Sequence, residues 1–172
     1  MKIYILGWYG KKNLGDDLML SALIKKITLI YKKPKIFVQA DKNWCQKNKI
    51  INYRLQGLPL FSLISNFPII RTICNRIFYD WFIAKNKIDL IIFGGGSTLK
   101  YNKVIKNFYN IILKCKKYNK DLKVVGCGVS IGPFPNNKSI IQFNKLKRFV
   151  DYWWVRDSRS SKLLTNKDRK KN

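Results

Sequence analysis

The sequence contains no histidine and only nine acidic residues, against 35 Lys and Arg, for a formal net charge of +26 over 172 residues. Without histidine the chain offers no imidazole for acid–base work or metal ligation. Its four cysteines, Cys45, Cys74, Cys115 and Cys127, form no C-x-x-C pair, which argues against a zinc site. Widely spaced single cysteines read as buried thiols in a reducing cytoplasm. No apolar run reaches the roughly 18 residues of a membrane span. The short apolar run before Gly7 lacks the h-region of a signal peptide. The expected location is therefore cytoplasmic, with peripheral contact at the inner face of a membrane as a further option. The common nucleotide motifs are also missing. Gly7-x-x-Gly10-Lys11 is too short for a P-loop, and Gly126-x-Gly128 meets Gly132 one residue late for a dinucleotide fingerprint. There is no internal repeat.

What is present is globular: 47% hydrophobic and 14% aromatic residues. The length fits one domain, expected over residues 1–165 with a polar tail over 166–172. Three causes compete for the basic excess: a nucleic-acid surface, an anionic membrane surface, or composition alone. Lys, Asn, Ile, Tyr and Phe share codons rich in A and T, and the lysines are scattered along the whole chain. Composition is the leading cause. Whatever its origin, a basic surface concentrates phosphorylated ligands. Nucleic acid ranks last as a partner, because the aromatics lie in core-like runs and no recognition motif occurs.

The chain alternates between strand and helix patterns. Residues 3–6 form an apolar run of strand length. A loop marked by Gly7, Gly10 and Gly15 follows, and Asp16 and Asp17 open an amphipathic helix, expected to Tyr31, with apolar positions Leu18, Leu20, Leu23, Ile24, Ile27 and Ile30 or Tyr31. Further strands are predicted over residues 35–40, 50–55, 88–93, 122–129 and 152–155. Helices are predicted over 104–118, 136–149 and 158–164, and residues 41–49 as a short helix or loop. The segment 58–85 reads as one or two helices. It is either a buried crossover or an amphipathic surface element, with Arg71, Arg76 and Lys85 beside aromatics, that leans on a membrane or holds a lipid-linked acceptor. This order predicts an α/β fold: an open, mainly parallel, Rossmann-like sheet with helices on both faces.

Ligands of such sheets bind at the carboxyl ends of the strands. Four candidate positions lie there: Asp16/Asp17; Gly94, Gly95 and Gly96 with Ser97; Gly128, Ser130 and Gly132; and Arg156. Arginine can grip a carboxylate or phosphate with two parallel hydrogen bonds. Plainer readings stand beside these. The loop from Gly7 to Gly15 can be a mere connection, Asp16 only an N-cap, and Arg156-Asp157 an ordinary strand-end ion pair with a helix cap.

Taken in order, Gly7-Trp8-Tyr9-Gly10, Asn13-Leu14-Gly15-Asp16-Asp17, Asp89 to Ser97, Gly128 to Phe134 and Val155 to Ser160 resemble the polysaccharide pyruvyl transferases. Proteins of that family are about twice this length, with two Rossmann-type halves facing across a GT-B-like cleft. The chain resembles the N-terminal half. The resemblance implies transfer of a pyruvyl group from phosphoenolpyruvate, as donor substrate, to a sugar of a cell-surface polysaccharide, with no other cofactor. The acceptor is a saccharide or lipid-linked saccharide. On the matching positions Arg156 becomes a donor ligand and Asp16 the acid–base or acceptor-orienting group. Gly94, Gly95, Gly96, Gly128 and Gly132 shape the cleft floor. Gly10, Asn13, Asp17, Ser97 and Ser130 are carried as substrate-binding candidates. The family's second half, with its catalytic histidine and a further arginine, has no counterpart here. Little transferase activity is therefore expected of the chain alone, which is a fragment of a longer product, a half completed by a partner chain or by self-association, or a truncated relic. The alternative is a non-catalytic basic module that docks on a partner transferase or an anionic membrane.

Overall fold

The computed structural model describes residues 1–9, 13–38, 45, 80–96 and 98–164, and residues 51–52 by their backbone. The expectations that fall on residues 41–44, 46–50 and 53–79, on Cys74 and on the tail lie outside the described residues. Six strands make one sheet: β1 (Lys2–Leu6), β2 (Lys35–Val38), β3 (Ile51–Asn52), β4 (Leu90–Gly94), β5 (Lys123–Val129) and β6 (Tyr152–Val155), in the order β3-β2-β1-β4-β5-β6. Every neighbouring pair is parallel. The helices are α1 (Leu14–Ile30), α2 (Asn102–Tyr118), α3 (Asn137–Lys147) and α4 (Ser158–Lys162), with a further helical segment over residues 80–86. This is the predicted Rossmann-like α/β arrangement. Strand order reverses at β1, so the crossovers fall on opposite faces.

Period-2 alternation divides the core. Tyr4, Leu6, Phe37, Ile91, Phe93 and Val124 face one way, against Ile105, Phe108, Ile111 and Ile112 of α2 and Phe143 and Leu146 of α3. Ile3, Ile5, Ile36, Val38, Leu90 and Ile92 face the other way, against Leu20 and Ile27 of α1. Each such side chain contributes about 1.5–3 kcal/mol by leaving water. Two of the nine acids fix the amino ends of the strands: Asp89 accepts from the Lys2 amide at 2.7 Å, and Asp151 from the Val124 amide at 2.8 Å. Burial also defines the thiols. Cys45 and Cys115 are buried, whereas Cys127 is half-buried. Burial pushes the Cys115 thiol up to about 12, which keeps it un-ionised at neutral pH.

Two readings of the first helix need correction. It begins at Leu14, and its N-cap is Asn13, whose side chain accepts from the Gly15 amide at 3.2 Å, not Asp16. The predicted apolar stripe holds at Leu20, Leu23, Ile24, Ile27 and Tyr31, which lie in or against the core, but not at two positions. Leu18 is 60% exposed and Ile30 70%. The buried stripe runs Asp16, Leu20 and Ile27 at helical spacing. Its first member is thus a carboxylate. Among the described residues, no helix is long and apolar enough to cross a membrane.

Candidate functional site

The carboxyl ends of β4, β5 and β6 are laced together by backbone hydrogen bonds. The Ser130 amide donates to Gly96 O at 3.2 Å, the Gly132 amide to Leu99 O at 2.9 Å, and the Arg156 amide to Val129 O at 3.2 Å. Below them, the Ile131 amide donates to the buried Ser160 Oγ at 2.7 Å. Loops bonded in this way hold their side chains in fixed positions, which a pre-organised site requires.

On this floor Arg156 is exposed, and its Nε donates to Ser130 Oγ at 2.6 Å. The same hydroxyl donates to Asp157 Oδ2 at 2.8 Å. Asp157 is the N-cap of α4, accepting from the Ser160 amide at 2.8 Å. The helix-cap part of the plainer reading therefore holds, while Arg156 and Asp157 are joined through Ser130. Hydrogen bonds from Ser160 and Ser130, and the charge of Arg156, hold the Asp157 carboxyl below the usual carboxylate range. With Nε committed to Ser130, the terminal nitrogens of Arg156 remain to meet an anion.

Asp16 lies within electrostatic reach of this arginine. It is 8% exposed and accepts from Asn13 Nδ2 at 2.8 Å. Burial pushes its carboxyl above the ordinary range. The Arg156 guanidinium pulls it back, and the charge of Asp17 pushes it further up. A partly desolvated carboxyl within electrostatic reach of a cation is a candidate acid–base group. Asn13 thus acts on Asp16 twice, by capping its helix and by donating to it. Asp17 acts on the site through its charge on Asp16.

The glycines lie where they were expected, but their reason is internal. A Cβ on Gly96, whose φ is +68°, would sit 2.8 Å from Asp16 Oδ1. A Cβ on Gly94 would sit 2.3 Å from the Tyr9 hydroxyl, and one on Gly7 would sit 2.4 Å from the Tyr9 ring. These glycines therefore make room for Asp16 and Tyr9. Gly95, Gly128 and Gly132 also have positive φ values. Gly10 and Ser97 lie outside the described residues.

Tyr9 was not singled out from the sequence. It is 2% exposed, and its hydroxyl has no hydrogen-bond partner among the described residues. Burial, reinforced by the charges of Asp16 and Cys127, pushes the phenol up, so it stays protonated. Also unforeseen is a cavity of about 870 Å³ that runs from Asp16 and Gly96 along the flank of α2. Its wall on α2 reads in sequence as an ordinary solvated helix face, so no local signal marked it. Among the described residues, no cluster of three His, Cys, Asp or Glu side chains is placed to hold a metal ion.

Comparison with known proteins adds one finding. The family model described as polysaccharide pyruvyl transferase matches residues 13–171. No curated protein and no solved structure matches the chain.

Proposed function

The chain belongs to the polysaccharide pyruvyl transferase family, and from that premise we propose that Arg156 and Asp16 form the donor-binding and acid–base parts of a pyruvyl transfer site. The observation that carries this reading is the Arg156–Ser130–Asp157 relay, with the buried Asp16 within electrostatic reach of its guanidinium. The donor is phosphoenolpyruvate, and the acceptor is a pair of hydroxyls on a sugar of a cell-surface polysaccharide.

The chemistry suits these groups. In ketal formation the donor methylene carbon gains a proton and becomes a methyl. The two sugar oxygens bond in turn to the neighbouring carbon, whose bond to the phosphate oxygen breaks. Two hydroxyl protons leave the sugar. One is matched by the proton gained at the methyl, and the other departs with inorganic phosphate. Arg156 binds the donor carboxylate or phosphate through its terminal nitrogens. Asp16 accepts a hydroxyl proton as the sugar oxygen attacks, a task for which a raised pKa improves a carboxylate. Asp16 suits the acid–base role because it is buried and its pKa is raised.

The test is incubation with phosphoenolpyruvate and mixed oligosaccharides, following inorganic phosphate release and the new ketal methyl resonance. Both signals are expected on addition of a complementing half, and neither with Arg156→Ala. Transfer that persists undiminished in that variant contradicts the reading.

One observation favours the other reading, a basic module that docks on a membrane. Trp81 is 52% exposed, and Lys85 Nζ lies 4.8 Å from its ring centroid, a pairing suited to an anionic interface. Salt-sensitive binding to phosphatidylglycerol vesicles that is lost in Trp81→Ala tests it.

A further inference from the structure

The cavity along α2 is not accounted for by the donor site, since neither Arg156 nor Ser130 lines it. We propose that it binds a sugar that carries a phosphate, as the acceptor side of the reaction proposed above, on which this assignment rests. Its volume, about 870 Å³, lies within the ordinary range for small-molecule sites.

The lining has the chemistry of a sugar phosphate. Trp8 and Tyr101 border the cavity and are 58% and 55% exposed. Flat aromatic surfaces pack against the C–H faces of a pyranose ring and present little competing polarity. Thr98 also lines it, with a hydroxyl oxygen buried and without a partner among the described residues. A buried hydroxyl without a partner carries an unmet hydrogen bond that a ligand hydroxyl can supply. Asn107 adds an amide that donates and accepts at once, as a sugar hydroxyl does.

Charge gives the ligand its second feature. Lys103 and Lys106 stand three residues apart on α2 and so share one flank of the helix. Two compact ammonium groups on one flank suit a phosphate. Asp16 also lines the cavity and lies within electrostatic reach of Arg156. A sugar seated between Trp8 and Tyr101 thus presents a hydroxyl toward Asp16 while its phosphate lies along the lysines.

The test is equilibrium binding to the full chain, without phosphoenolpyruvate, by titration calorimetry. The probes are glucose, galactose and mannose 1-phosphates, the free hexoses, inorganic phosphate and UMP. At least one hexose 1-phosphate is expected to bind tenfold or more tightly than its free hexose, inorganic phosphate or UMP. Tyr101→Ala, and the double variant Lys103→Ala/Lys106→Ala, should each weaken it at least fivefold. All three positions are exposed, so the fold is retained, and Trp154→Ala, at an exposed residue outside the cavity lining, should leave binding unchanged. Absence of hexose phosphate binding, equal binding of inorganic phosphate or UMP, or indifference to the groove variants overturns the proposal. A chain that binds hexose phosphate yet transfers no pyruvyl group when the complementing half is present retains this site and loses the transferase reading. A chain that binds phosphoenolpyruvate but no sugar phosphate does the reverse.

Discussion

Arg156 and Ser130 stand 26 residues apart in sequence and are joined by a hydrogen bond of 2.6 Å from Nε to Oγ. Parallel pairing of β5 with β6 brings them together, and Asp157 fixes the hydroxyl from its other side. The guanidinium is therefore aimed before any ligand arrives, which reduces the ordering cost of binding.

Ser130→Ala should loosen that aim without removing the charge. Hydrogen bonds to charged groups contribute about 1.5–3 kcal/mol, so phosphoenolpyruvate affinity is expected to fall roughly tenfold or more. Ser130→Thr, which restores the hydroxyl, should recover most of it. Unchanged affinity in Ser130→Ala would show that Arg156 needs no positioning.

Asp16→Asn should lower transfer by about 10²–10⁴-fold, the usual contribution of a general acid–base group. Its effect on stability has the opposite sign. The folded pKa of Asp16 is raised above 3.8, so the folded chain holds this proton more tightly than the unfolded chain. Its contribution is fully present at low pH and falls as pH rises from 3.8 through the folded value. The variant should therefore melt higher than the parent at pH 7 and lose that part of the pH dependence. Thermal melts across pH 3–8 check it.

Gly96→Ala should destabilise the chain and displace Asp16. A left-handed backbone costs an alanine about 1–2 kcal/mol, and the new methyl would crowd Asp16 Oδ1 from 2.8 Å. At about 2–4 °C per kcal/mol for a chain of this size, a loss of several degrees in melting temperature is expected, together with loss of transfer.

Tyr9→Phe should do the reverse. The hydroxyl is buried and without a partner among the described residues, so its removal relieves an unmet polar group. A gain on the order of 1 kcal/mol is expected, read as a higher denaturant midpoint at unchanged slope. A lower midpoint would mean that the hydroxyl has a partner in solution.

Much of this fold could be read from the sequence, because apolar runs such as that of β4 end in glycine and give way to helical spacing. The strand over residues 152–155 was placed to the residue. The start of α1 was missed because Asn13 and Asp16 are both good caps within one turn, and local chemistry does not rank them. Arg156 was legible as a cation at a strand end, whereas its orientation through Ser130 depends on the β5–β6 register. The glycines were legible as a cluster but not in purpose. Gly94 and Gly96 yield space to Tyr9 and Asp16 across the β1–β4 pairing, a relation no window of sequence contains. Lys103, Lys106 and Asn107 stayed hidden because the polar face of a helix looks the same whether it borders a cavity or bulk water.

The central claim is that Arg156 holds the anionic donor. It is tested most directly by equilibrium binding of phosphoenolpyruvate to the parent chain, to Arg156→Ala and to Arg156→Lys. The account predicts that Arg156→Ala loses at least tenfold in affinity, and that Arg156→Lys, which keeps the charge but not the fork, recovers only part of it. Equal affinity across the three proteins would contradict it.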